Sequence, residues 1–175
     1  VSLGGMVALK WVEKYPEKFS GLVLVNSSVA DLNPFYQRLK PSAIFTFLGL
    51  STKYGSDLAE KQIVELISNN PSKHANTIQR WSELAQTRPI KISNAWKQLK
   101  MAATFRSPPV PLKVPLQVLA GEKDRLASSE CSRRIAAKYQ APLMLHATGG
   151  HDLMIDEPSW VSQQIQEFIK RRTTA

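Results

Sequence analysis

Three short apolar runs constrain what this chain can fold into: "GLVLV" (21–25), "PLQVLAG" (115–121) and "PLMLHA" (142–147). Each is only a strand's length; "GLVLV" is continuous rather than alternating in polarity, and the other two repeat the pattern. Such runs suit strands buried on both faces, as in a parallel sheet. Amphipathic helical patterns lie between and around them. Over residues 3–14, Met6, Leu9 and Trp11/Val12 recur at helical spacing until Pro16 ends the run. "SSECSRRIAAKY" follows the second apolar run, with Ser128 or Ser129 as its cap and Ile135 and Ala136 on its apolar face. Pro158 opens a last helix along which Trp160, Val161, Ile165 and Phe168/Ile169 keep helical spacing. It ends on Lys170, Arg171 and Arg172, which suit the negative end of the helix dipole. Strands alternating with helices predict an α/β fold with a doubly wound parallel sheet.

The middle of the chain breaks that rhythm. Between 31 and 107 the pattern predicts only helices, near 35–49, 57–69, 74–86 and 92–105, punctuated by Pro34, Pro41, Pro71 and Pro89. An all-helical insertion between two strands of one sheet reads as a cap over the strand ends. The expected organisation is therefore core at 1–30, helical cap at 31–107 and core again at 108–175.

Composition narrows the function classes. With 43% apolar and 21% charged residues the chain is expected to be globular. No apolar run reaches the ~18–20 residues of a membrane span. The net charge of +9 is concentrated in residues 31–113, which hold 12 Lys/Arg against 5 Asp/Glu. These cations are scattered singly along helices, without a nucleic-acid-binding motif, so they read as a solvated face. The single cysteine, Cys131, excludes an internal disulfide and reads as a small buried residue. A cytoplasmic setting fits. Neither a metal nor an organic cofactor is expected.

Three residues beyond the strands carry the chemistry. In "VSLGGM", Ser2 precedes two glycines and a helix, as in a sharp turn that exposes a hydroxyl. The Leu3 N–H beside it could face a developing oxyanion. Asp124, in "AGEKDRL", and His151, in "ATGGHDLM", each follow an apolar run, on the edge where open α/β sheets place their chemistry. A serine nucleophile needs a base, and the base needs a carboxylate to fix its tautomer. His146, inside an apolar run, and His74, in a helical segment, are weaker candidates.

In "VSLGG", "YPEKFSGLVLV", "PLQVLAGEKD" and "GGHDLMIDEP" the chain resembles the α/β-hydrolase fold family, in its capped serine-hydrolase branch. The resemblance implies the last three strands of that fold with a helical cap. It implies Ser2 as nucleophile, His151 as base, Asp124 as the acid that orients it, and Leu3 as an oxyanion donor. Some members of the fold place the acid after the preceding strand, which makes Asp31 a second candidate behind Asp124; Asp152 is given no role. A carboxylic ester or thioester would be cleaved through an acyl-enzyme. The expected substrate is a small ester with an apolar acyl group, held under the cap by Phe35, Tyr36, Phe45, Phe47, Trp81, Trp96 and Phe105. Two alternatives stand beside this: an esterase or thioesterase acting on acyl groups borne by an acidic carrier protein, and a non-catalytic ligand binder. "VSLGG" lacks the first glycine of the family's elbow. The chain is therefore expected to be a C-terminal fragment that begins inside that motif, with the free edge of its first strand exposed and without activity of its own.

Overall fold

The computed structural model describes residues 1–50, 56–89 and 91–173. The chain opens with helix α1 (Ser2–Lys14) and a short 3-10 turn (Pro16–Lys18), then enters β1 (Leu22–Val25). The helices α2 (Phe35–Arg38), α3 (Pro41–Leu50), α4 (Asp57–Ile67), α5 (Ala75–Thr87) and α6 (Ile92–Thr104) follow. The chain then returns through β2 (Leu116–Gly121), α7 (Ser129–Tyr139), β3 (Leu143–His146), α8 (Leu153–Asp156) and α9 (Pro158–Thr173). All three strands are parallel, in the order β1-β2-β3. Leu22 pairs with Leu116 and Val118 with Leu143, so the three C-terminal ends open on one edge.

The strands separate two apolar layers with the period of two that a pleat imposes. On one face Leu24, Leu116 and Val118 pack with Leu9, Ile135 and Ala136, which seats α1 and α7. On the other, Val25 and Leu119 pack with Leu153 and Val161, which seats α8 and α9. Only β2 is buried along its whole length. The two outer strands depart from the expectation of burial on both faces: β3 is half-buried throughout and β1 buries only its last two residues. Among the described residues each outer strand has a partner on one side only, which explains the difference.

Local chemistry sets the helix boundaries. Met6, Leu9 and Val12 are buried along α1, while Trp11 lies outside and meets the Phe19 ring edge-on at 5.5 Å. Ser128 caps α7 by accepting from the Glu130 N–H, and Ser56 caps α4 by accepting from Ala59. The helix expected over 35–49 is two helices, because the chain turns extended at Leu39 before Pro41 starts α3. Residues 51–55 and 90, within the region read as a cap, lie outside the described residues. Along α9, Val161 is buried, but Ile169 is exposed rather than part of the apolar face. The cations at its end have partners: Arg171 donates to the Gln117 side chain at 2.6 Å, and the Arg172 guanidinium lies 5.7 Å from the Phe168 ring centre.

The two glycines of α1 differ in role. A Cβ at Gly5 would lie 2.6 Å from Ser27 Oγ and 2.8 Å from Ser27 Cβ, whereas one at Gly4 would meet nothing within 4 Å. Gly5 therefore lets α1 close on the end of β1, and Gly4 only weakens the helix. In urea unfolding, Gly4→Ala is expected to raise stability by about 0.5–1 kcal/mol. Gly5→Ala is expected to lower it by about 1–3 kcal/mol. Equal effects at the two positions would contradict this packing.

Candidate active site

Ser2 has a φ of 47°, in the left-handed region that a non-glycine residue enters at a cost of roughly 1–2 kcal/mol. Such strain persists only where neighbours enforce it. Here the Ser27 hydroxyl donates to the Ser2 carbonyl at 2.8 Å, and Gly5 lets that contact form. Leu3 lies in the first turn of α1, where backbone N–H groups have no acceptor within the helix and the helix dipole is positive.

Asp124 and His151 come from the loops after β2 and β3. His151 Nδ1 lies 2.7 Å from Asp124 Oδ2, with side-chain exposures of 8% and 2%. The other carboxylate oxygen accepts from the Leu126 N–H at 2.7 Å and the Ala127 N–H at 2.9 Å. A buried carboxylate that accepts at Oδ2 places the imidazole proton on Nδ1 and leaves Nε2 free to take one. The structure thus brings Asp124 and His151 together.

Asn26, which the sequence reading passed over, ties these parts to one another. It is buried at the end of β1, also with a left-handed φ, of 46°. Its amide donates to the carbonyls of Gly150 (3.0 Å) and His151 (2.7 Å), and its oxygen accepts from the Gly121 N–H at 3.0 Å. Adjacent residues, Asn26 and Ser27, thus hold the backbones of His151 and Ser2. An Asn immediately after a strand was the available signal, because Asn tolerates this backbone region and can bond in three directions.

The remaining candidates lie elsewhere. Asp31 does not reach His151. It accepts from the Ser107 N–H at 2.8 Å and from the Ser107 hydroxyl at 2.5 Å, and it pairs with Lys138 at 3.3 Å. With the Ala30 N–H bonded to the Phe105 carbonyl, this clasps the two ends of the helical region together. Burial acts to raise the Asp31 carboxyl, but hydrogen bonds from Ser107, its own backbone and Lys138 outweigh it and bring it down to about 2. His146 stacks edge-on against Trp160 and faces Glu157 at 3.7 Å. His74 sits 3.6 Å from Asp156. Asp152 caps α8 through the Met154 N–H. Cys131 is buried, and that burial pushes its thiol up to about 11, which leaves it inert.

The seven aromatics expected to line a pocket do not share one environment. Phe35, Tyr36, Phe45, Phe47 and Trp96 are exposed, Trp81 is half-buried, and Phe105 packs on the core under β1 and β2. A cavity of about 410 Å³ lies beside the Asp124 loop and is lined by Lys40, Ser42, Thr46, Gln62, Glu65, Leu66 and Arg125, with none of the seven among them. A second, of about 500 Å³, is formed by 111–116 and 139–142 at the opposite, N-terminal edge of the sheet. Among the described residues, no group of three or more His, Cys, Asp or Glu could hold a metal ion. None of the described helices is long and apolar enough to cross a membrane.

The model of the family described as "Serine aminopeptidase, S33" matches residues 1–158. No curated protein matches the chain. Similar solved structures include a meta-cleavage product hydrolase from Pseudomonas fluorescens IP01 (TM-score 0.77, 15% identity), aligned over 97% of this chain and 62% of that one. A 2-hydroxy-6-oxo-6-phenylhexa-2,4-dienoate hydrolase from Rhodococcus sp. strain RHA1 aligns over the same shares, with a TM-score of 0.71 and 16% identity. A carboxylesterase from Bacillus subtilis aligns over 97% of this chain and 57% of its own, with a TM-score of 0.67 and 17% identity. The chain thus spans less than two thirds of the length of these structures, and it has the α/β-hydrolase fold that its motifs imply.

Two measurements test this geometry. Asn26→Ala leaves three buried backbone groups without partners and is expected to lower stability by about 2–5 kcal/mol in urea unfolding. A loss below about 1 kcal/mol would mean that Asn26 does not hold the loops. For Asp31, the folded carboxyl lies below its ordinary 3.8, so the unfolded chain binds the extra proton. Its contribution is fully present above about pH 4 and is lost as pH falls toward 2. Urea midpoints of the protein and its Asp31→Asn variant should differ at pH 5 and converge near pH 2. A constant difference would contradict the clasp.

Proposed function

Because the chain belongs to the serine aminopeptidase S33 family of α/β-hydrolases, we propose that it carries the machinery of a serine hydrolase acting on carboxylic esters, with Ser2, His151 and Asp124 as its triad. One observation carries this reading. A buried imidazole–carboxylate hydrogen bond of 2.7 Å shares its scaffold, Asn26 and Ser27, with a serine held in a strained conformation.

In the proposed reaction, His151 Nε2 takes the Ser2 hydroxyl proton as Oγ attacks the ester carbonyl. The oxyanion forms by the first turn of α1, where the Leu3 N–H is a donor. The intermediate collapses, His151 returns the proton to the leaving alcohol, and the acyl group stays on Ser2. Water then gives a proton to His151 and attacks the acyl-enzyme, releasing the acid and restoring the serine. Asp124 remains ionised throughout, holding the tautomer and stabilising the imidazolium. The helices between β1 and β2 act as a cap. The cavity beside Asp124 offers room for a substrate group, and Lys40, Ser42, Thr46 and Gln62 suit a polar group there better than an apolar chain.

The test is a fluorophosphonate probe on the protein carrying these residues, with the adduct mapped by mass spectrometry. Ser2 is expected to carry the label, and Ser2→Ala to abolish it. Asp124→Asn is expected to slow ester hydrolysis on the order of 10³–10⁴-fold. No labelling of the wild-type protein, or equal labelling after Ser2→Ala, would refute the reading.

A further inference from the structure

The junction between α4 and α5 crosses both loops that carry the proposed triad. On the Asp124 side, the Arg125 guanidinium donates to the Ser68 carbonyl at 2.5 Å and also to the Glu65 carbonyl. The Asn69 amide donates to the Lys123 carbonyl at 3.2 Å and, on the His151 side, to the Thr148 carbonyl at 2.8 Å. The Asp152 N–H donates to the Ile67 carbonyl at 2.9 Å.

Asp156 lies at the centre of this crossing, with its side chain wholly buried. One oxygen accepts from the Ser68 hydroxyl, and the other from the Asn69 N–H at 3.0 Å and the Gly150 N–H at 2.8 Å. His74 Nε2 stands 3.6 Å away. Gly150 is the residue before His151, and a Cβ there would lie 2.6 Å from Asp156 Oδ2 and 2.7 Å from the Ile67 carbonyl. Glycine is therefore what lets the helical region approach the His151 loop so closely. A buried carboxylate is costly unless its oxygens are satisfied, and here three donors from two separate segments satisfy it.

Resting on the triad reading above, we propose that Asp156 is a positioning residue for the acyl transfer. By clamping the α4–α5 junction onto the Gly150 amide, it holds the His151 imidazole in register with Ser2, and it ties that register to the seating of the helical cap.

The test separates position from stability. In Asp156→Asn the charge is lost and one acceptor oxygen becomes an NH₂ that can only donate, so either the Ser68 hydroxyl or the backbone N–H pair of Asn69 and Gly150 loses its carboxylate acceptor. Ser68→Ala removes the hydroxyl's bond to Asp156 from the cap side, together with the bond it accepts from the Asn70 N–H, and leaves the Asp156 carboxylate in place. With a p-nitrophenyl ester, Asp156→Asn is expected to lower kcat by roughly 10–100-fold with KM within about twofold, as a small misplacement of a base would. Ser68→Ala is expected to lower kcat severalfold in the same way, and the double variant to lose no more than Asp156→Asn alone. All rates are read well below each variant's Tm. If kcat stays within twofold in the folded variants while Tm falls, Asp156 is a structural clip and the proposal is overturned. If Asp156→Asn does not fold, Ser68→Ala decides by the same criterion. Fluorophosphonate labelling of the wild-type protein is read first. Its absence would overturn the triad reading itself, and with it this inference, before any variant is compared.

Discussion

The hydrogen bond between His151 Nδ1 and Asp124 Oδ2 imposes demands that much of this structure meets. An imidazole and a carboxylate almost without water must be held together by the chain, because neither can be rescued by solvent. Asp124 is satisfied by two N–H groups of its own loop, and His151 is held through its backbone by Asn26. Parallel strands supply the geometry: β2 and β3 end on the same edge, so their following loops meet there. The connections have to be long, and helices fill both faces as a result.

The same edge concentrates the costs of the fold. Ser2 and Asn26 both occupy the left-handed region, and Asn26, Ser27, Asp124 and His151 are buried polar groups. Opposite them, β2 is buried from end to end, and Leu9, Leu24, Leu119 and Ile135 are fully enclosed. Burying each such side chain contributes about 1.5–3 kcal/mol. An apolar layer on each face of the sheet thus offsets a polar, strained edge. Asp31 and Ser107 close the neck of the helical region, Asp156 fastens its far side, and between them the Lys40 N–H and the Gln37 carbonyl bond to Leu126 and Ser128 beyond β2.

What the sequence made legible followed local rules. The apolar runs give the strands to within a residue, because a short apolar run of this length between turns has few other uses. Asp124 and His151 stood out because each follows such a run by only a few residues. Asn26 and Asp156 were not legible, since the partners of Asn26 lie 95–125 residues away along the chain and two of the three that Asp156 joins lie 87 and 88 away. Nothing near Ser68 distinguishes it from a surface serine, yet it is fully buried. The aromatics misled for the complementary reason. Helical spacing cannot tell a ring that faces a pocket from one that faces outward, and five of the seven are exposed.

The buried pair also offers the most direct test. In ¹⁵N NMR of the histidine-labelled protein at neutral pH, His151 is expected to carry its proton on Nδ1, with Nε2 showing the shift of an unprotonated nitrogen. Asp124→Asn should remove that preference. A His151 found with its proton on Nε2, or a tautomer that ignores the loss of Asp124, would contradict the account at its centre, because the imidazole could then not act as base toward Ser2.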